Sequence, residues 1–321
     1  MITLVVTSQS SGAGKTAVCA GIASRLQNQG KKVGYLRPVI GAPPTGGDAY
    51  FMKDILSLEE PLESLCPAFT NESMFDRDMK AAFDAVAVGK DVMIVESASA
   101  SIAKSLEARI LNISTYTEYT TRNNQLPVSV TGGFESINGD ALINKVPLSR
   151  MEAVRAAVKL NSPFVSVIHE DRALMTFTIA ELARAIDGEI LNDADKTDLL
   201  AENFMLGAMT IDSGVPYFHL MNNKVAIVRA DRPDMQSAAL QTSTRAIIVA
   251  GTAELEPLVQ GRAQSKQIPF IRTRLDCAAV AGRIEDTLVK TRFHQKSKLP
   301  RLMEILQHGF DDIALHHVMG M

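Results

Sequence analysis

The chain has 321 residues, 46% of them hydrophobic, with 33 Lys+Arg against 36 Asp+Glu and a formal net charge of −3. That length exceeds one typical domain, the apolar content is ample for more than one core, and the charge balance excludes a generally basic nucleic-acid surface. Three widely spaced cysteines (Cys19, Cys66, Cys277) with no Cys-x-x-Cys fit buried thiols in a reducing, cytoplasmic setting. The apolar run at residues 2–6 lacks the basic flank of a signal peptide, and no segment approaches the ~20 apolar residues of a membrane span. A soluble, cytoplasmic protein without membrane or nucleic-acid partners is expected.

Residues 2–6 read as a short strand, and residues 7–16 follow as Thr-Ser-Gln-Ser-Ser-Gly-Ala-Gly-Lys-Thr. A helical pattern then carries Val18, Ile22, Ala23 and Leu26 up to a stop at Gly30. Strand, small-residue loop, Gly-Lys-Thr and helix make the layout of a phosphate-binding P-loop, although Gln9 stands where its first glycine usually falls. Small residues let a phosphate approach the main chain, so the amides of Ser11, Gly12, Ala13, Gly14, Lys15, Thr16 and Ala17 form the expected anion cradle. Lys15 then reaches the terminal phosphates, and Thr16 offers a hydroxyl to magnesium. The bland alternative is a Gly/Ser turn entering an ordinary helix.

A second strand, 32–39, ends near Arg37, and a Gly/Pro-rich loop at 41–47 leads to Asp48 and a helical segment at 49–56. Arg37 offers a cation for phosphate; Asp48 is either a magnesium ligand or simply a helix N-cap. The strand at 91–97 presents Glu96, which either completes a Walker-B-type metal site or merely ends a strand. A helix at 102–108, strands at 110–116 and 141–146 after the Asn138-Gly139-Asp140 turn, a helix at 150–159, a strand at 164–168 and a helix at 178–186 continue the alternation. The polar stretch 117–137 gives no clear pattern. Such alternation predicts a parallel sheet with helices on both faces.

The segments Ser-Ser-Gly-Ala-Gly-Lys-Thr, Val-Gly-Tyr-Leu-Arg-Pro-Val, Gly-Asp-Ala, Val-Glu-Ser and Ile-Asn-Lys-Val-Pro resemble the dethiobiotin-synthetase-like P-loop family. The likeness extends to the N-terminal region of long bacterial phosphotransacetylases, and the loop is also similar to that of cobyrinic acid a,c-diamide synthases. It implies an α/β P-loop NTPase-like domain over residues 1–188 that binds ATP and Mg2+. Lys15 and Thr16 would hold phosphates and metal, Thr16, Asp48 and Glu96 the magnesium, and Asn144 the adenine base. Lys15 and Arg37 are the catalytic candidates. Three positions depart from the family pattern: Arg37 stands for a lysine, Ser97 for a glycine and His169 for a proline, with His169 read as structural.

Beyond a polar linker at 189–197, an apolar stretch at 204–210, an Asn222-Asn223 turn, strands at 224–228, 246–250 and 269–272 and helices at 235–242, 255–265 and 277–289 predict a smaller three-layer α/β domain. Leu206-Gly207-Ala208-Met209, Ala230-Asp231-Arg232-Pro233-Asp234 and Ala250-Gly251-Thr252 resemble the DRTGG domain, placed at 198–290. Asp231, Arg232 and Asp234 either contact a ligand in a βα loop or form an internal pair that fixes the loop and caps the next helix. A helical tail, 291–321, has Leu299, Leu302, Met303 and Leu306 on one face, suited to a partner subunit. His308, His316 and His317 match no zinc spacing and read as solvated. No acetyltransferase domain fits in about thirty residues. The expected function is a Mg-ATP-binding sensor or regulator in a homo-oligomer with an unidentified small-molecule or protein partner. The alternative is an ATP-dependent ligase activating a carboxylate or carbamate.

Overall fold

The computed structural model describes residues 1–41, 47–70, 72–97, 101–117, 140–161, 165–192, 195–207 and 214–321. Most of the 41–47 loop, most of the 117–137 stretch, Asn138, Gly139, Ala208 and Met209 lie outside them. The chain divides into two compact units, Met1–Asp171 with Lys298–Met321, and Arg172–Ser297.

The first unit runs β1 (Ile2–Thr7), α1 (Lys15–Asn28), β2 (Val33–Leu36), β3 (Val39–Ile40), α2 (Asp48–Leu56), α3 (Leu62–Leu65), β4 (Ala68–Phe69) and α4 (Glu72–Ala87). It continues with β5 (Val92–Glu96), α5 (Ser101–Ser105), β6 (Arg109–Thr115), β7 (Asp140–Val146), α6 (Met151–Asn161) and β8 (Val165–His169). Six of these strands form one all-parallel sheet in the order β2-β5-β1-β6-β7-β8, while β3 and β4 pair separately. Side chains alternate between faces along a strand, yet Leu4, Val5 and Val6 in β1 and Val92 to Glu96 in β5 are all buried. Both faces are therefore covered, as a parallel sheet requires. Because the strands are parallel, Thr7, Leu36, Glu96 and Val146 all end on one edge, where the chain loops out.

The second unit contains α7 (Ile179–Ala185), β9 (Glu189–Ile190), β10 (Asn203–Gly207), α8 (Gly214–His219), β11 (Lys224–Arg229), α9 (Pro233–Leu240), β12 (Thr244–Ala250), α10 (Pro257–Ser265), β13 (Phe270–Thr273) and α11 (Cys277–Lys290). Its sheet order is β10-β11-β12-β13-β9, parallel except for β9. One apolar cluster joins Phe218, Met235, Ala239, Val259 and Ala263 to Val228 and Val249; the other joins Ile179, Leu182, Val280 and Ile284 to Ile227, Ile248 and Ile271. Helices thus lie on both faces, giving three layers.

The units meet the sequence-based boundaries at neither end. The helix expected to finish the first domain, α7, packs in the second unit because its apolar face finds Ala201, Val225 and Ile271 there. A capping box starts it, with Thr178 accepting from the Glu181 amide and Glu181 accepting from that of Thr178. Part of the expected linker is structural: β9 pairs antiparallel with β13, and the buried Asn192 donates to Ile268 O and accepts from Phe270 N.

The tail also differs from expectation. It forms α12 (Leu299–Gly309) and α13 (Asp312–Met319), both built into the first unit. Leu302, Ile305, Leu306, Phe310, Leu315, Val318 and Met319 are buried, so the apolar face reserved for a partner subunit is covered by its own chain. Small residues allow it: a Cβ at Gly21 would stand 2.0 Å from Leu306 Cδ1, and one at Gly309 2.5 Å from Val167 O. Arg25 is buried in α1 and donates to Phe310 O and, at 2.5 Å, to Asp312 Oδ1. His308, His316 and His317 are exposed, as read. Among the described residues no helix is long and apolar enough to cross a membrane.

Candidate functional site

The loop between β1 and α1 is shaped by glycine. Gly12 (φ 76°) and Gly14 (φ 97°) take left-handed conformations that other residues adopt at a cost, and Gly14 immediately precedes α1. The helix starts without a side-chain cap and without an acidic residue in its first turn. Its leading amides thus have no side-chain cap, the arrangement that suits an anion. Lys15 Nζ donates to Ser8 Oγ (2.7 Å), and Ser8 Oγ donates to Ser10 O (2.8 Å). The lysine head is held over the loop. Ser10 Oγ is buried and lacks a hydrogen-bond partner among the described residues. An orphaned hydroxyl inside an anion-shaped loop fits a phosphate acceptor.

The pairing of β1 with β5 sets Glu96 beside Val6, one residue before β1 ends. Thr16 donates to Glu96 Oε1 (2.9 Å), and Tyr35 donates to Glu96 Oε2 (2.8 Å). Arg37 reaches Asp48 Oδ2 through Nη2 (3.0 Å) and Glu96 Oε1 through Nε (3.7 Å). Thr16, Arg37, Asp48 and Glu96 therefore form one continuous network behind the loop, with Lys15 adjacent in sequence to Thr16. Burial pushes the Glu96 carboxyl up and the Asp48 charge adds to this; the Tyr35 and Thr16 hydrogen bonds and the Arg37 charge pull it down, leaving it raised. Burial opposes the Arg37 charge, but Glu96 and Asp48 outweigh it and raise the guanidinium's pKa.

A hydroxyl and two carboxylates on hard oxygen atoms suit magnesium, and the chain neutralises those carboxylates with Arg37. Among the described residues no group of three His, Cys, Asp or Glu side chains is gathered to hold a metal by itself.

Asn144 lies at the loop too. Its Nδ2 donates to Ala13 O (2.9 Å), and its Oδ1 accepts from Lys145 N (2.8 Å), so both ends of the amide are engaged within the chain. Lys145 Nζ donates to Gly12 O (2.7 Å). Ser97 is buried and donates its amide to Val6 O (3.0 Å). His169 ends β8, and burial lowers its pKa despite the Asp171 charge.

Ser8, Tyr35 and Lys145 were not among the residues singled out by sequence. Tyr35 carried a signal, a polar-tipped residue inside an otherwise apolar strand. Lys145 carried only its place after Asn144.

In the second unit, Arg229 pairs with Asp231 through Nε–Oδ1 (2.9 Å) and a second bond, and Arg232 pairs with Asp234 (2.9 and 2.7 Å). The internal-pair reading holds for Arg232 and Asp234, and Asp231 pairs with Arg229 at the end of β11. Arg232, the N-cap of α9, makes no side-chain capping bond and Pro233 opens the helix, while the Asp234 carboxylate in the first turn accepts from the main-chain amides of Asp234 and Met235 and so serves the helix start. Gln236, fully buried, donates to the carbonyls of Arg229 and Ala230 and fixes this turn. A cavity of about 550 Å³ at the strand ends is lined by Arg229, Asp231, Gly251, Thr252, Asp276 and Cys277.

The fold and loop define a P-loop α/β unit joined to a second, three-layer α/β unit. A family model described as an AAA domain matches residues 2–126, and one described as the DRTGG domain matches residues 181–287. The chain carries a P-loop domain and a DRTGG domain in that order. Phosphate acetyltransferase of Deinococcus radiodurans is 21% identical over 360 residues, covering 98% of this chain and 51% of that protein. The chain thus spans about half the length of this relative. Among solved structures, the CBS and DRTGG domains of the regulatory region of Clostridium perfringens pyrophosphatase, complexed with the activator diadenosine tetraphosphate, show 15% identity over 47% of this chain and 75% of that one (TM-score 0.32). MinD from Aquifex aeolicus shows 16% identity over 54% and 84% (TM-score 0.36).

Proposed function

We propose that the first unit binds Mg-ATP and that the protein is a nucleotide-sensing or regulatory module related to the front part of phosphotransacetylases. The observation that carries this reading is the network joining Thr16, Glu96, Arg37 and Asp48 directly beneath an uncapped helix start. Loop amides and Lys15 hold the terminal phosphates; Thr16, Asp48 and Glu96 face the magnesium. Arg37 adds a permanent charge that either balances the carboxylates or turns to a phosphate. Magnesium bound there would neutralise phosphate charge, and the chain's own part is to orient the phosphate chain against fixed amides.

Calorimetry with Mg-ATP tests this. The parent protein should bind, and Lys15→Ala should weaken binding by about a hundredfold, corresponding to about 2.7 kcal/mol. Equal heats for both proteins, or none for either, would end the reading. ATP turnover stimulated by a carboxylate or diamine would instead favour the ligase type. A homodimer or larger assembly is expected; light scattering that shows only monomer would refute it.

A further inference from the structure

We infer that Asn144 and Lys145 are positioning residues that aim the phosphate loop, a role resting on the nucleotide reading of that loop. A trans peptide is planar, so the carbonyl of one residue and the amide of the next point in opposite directions. Lys145 Nζ holds the Gly12 carbonyl at 2.7 Å, and Asn144 Nδ2 holds the Ala13 carbonyl at 2.9 Å. Each tie turns the next amide, that of Ala13 and that of Gly14, away from β7. Two successive N–H groups are thereby fixed on the opposite side of the loop from their tethers.

The backbone is built for this at a cost. Lys145 has φ 60°, a left-handed conformation at a residue that is not glycine, and the β7–β8 register breaks between Ile143 and Val146. Such strain persists where the surroundings enforce it and gathers at functional positions. Here it brings two consecutive side chains onto one loop, whereas in a regular strand they would point to opposite faces. The fit is close: a Cβ on Gly14 would stand 2.4 Å from Asn144 Nδ2.

The amides so turned, those of Ala13 and Gly14, would meet any phosphate chain, so the ties act on polyphosphate whatever base it carries. The experiment titrates the full-length protein and Lys145→Met, Lys145→Arg and Lys145→Gly with Mg-ATP and with magnesium tripolyphosphate, which has no base. Lys145→Met should weaken both ligands by the same factor, about tenfold or more, since a charged hydrogen bond is lost. Lys145→Arg should recover part of that loss. Lys145→Gly should bind as weakly as the Met variant while melting no lower than the parent, because glycine adopts φ 60° freely. Unchanged affinity for both ligands would overturn the proposal, as would a loss confined to ATP, which would place Lys145 on the base or sugar. If the parent binds neither ligand, the nucleotide reading fails. Hydrogen exchange of residues 8–16 without ligand then decides the brace: faster exchange in Lys145→Met supports it, and unchanged exchange removes it.

Discussion

The two units share a plan, a parallel sheet whose strand-end loops carry charged residues, but they spend those charges differently. In the first, the strand-end groups bond across long stretches of chain: Thr16 to Glu96, Arg37 to Asp48 and Glu96, Asn144 to Ala13. In the second, Arg229 pairs with Asp231 and Arg232 with Asp234, each two residues away. Local pairs settle the conformation of their own turn. Ties between different strand ends instead bring separate side chains to one point, which is what a binding site needs. The second unit does have long-range ties, at Glu181, which accepts from Gln295 (3.0 and 3.1 Å) and contacts His294 (3.2 Å), and at Arg245, which donates to Glu202 (2.7 Å), but these lie at the start of α7 and the start of β12, away from the βα turns.

Four measurements would break or sharpen that contrast. The largest effect should come from Leu306→Ala, since this residue is fully buried against Gly21. It should cost about 2–5 kcal/mol in denaturant unfolding of the first unit, as large-to-small core changes do. An unchanged midpoint would mean that the tail is a detachable arm.

Next comes acid. The His294, Thr178 and Gln295 hydrogen bonds overcome burial and lower the Glu181 pKa from 4.5 to about 2. A depressed carboxyl stabilises the fold above its unfolded pKa, and this contribution fades as pH falls from about 4.5 towards 2. It amounts to on the order of 2–3 kcal/mol. In an acid titration followed by second-unit signals, Glu181→Gln should flatten that part of the curve; parallel curves would show that the tie contributes nothing.

Tyr35→Phe should cost about 1–3 kcal/mol, because it leaves Glu96 Oε2 without its buried donor. Mg-ATP affinity should fall with it if Glu96 must be held in place. Smallest of all, Asp231→Asn should change stability by less than about 1 kcal/mol, since its pair is exposed, and leave Mg-ATP affinity alone. A large loss of nucleotide binding in this variant would dissolve the distinction between the two regions.

Much of the first region was legible in residue order. A P-loop is local: strand, small residues, Lys15, Thr16 and helix are contiguous, so pattern and chemistry coincide. The alternation of elements likewise gave the layered parallel architecture, and Glu96 stood out because an acidic residue ends an apolar strand. What could not be read is where non-contiguous pieces meet. The helix α7 follows the first unit's alternation yet packs in the second, since periodicity shows that a face is apolar without showing what covers it. The α12 face was read as suited to a partner subunit, and Gly21 and Gly309 decided for the chain by admitting close contact.

Lys145 is the clearest case. Residue order fixes its charge and its position after Asn144, and nothing more. Only the register break beside β8 and the left-handed turn at Lys145 bring its ammonium to the Gly12 carbonyl, because backbone direction at a strand end depends on neighbouring strands that are distant in sequence. The sequence by itself determined the elements and the reactive groups. The tertiary structure decided which of those groups meet.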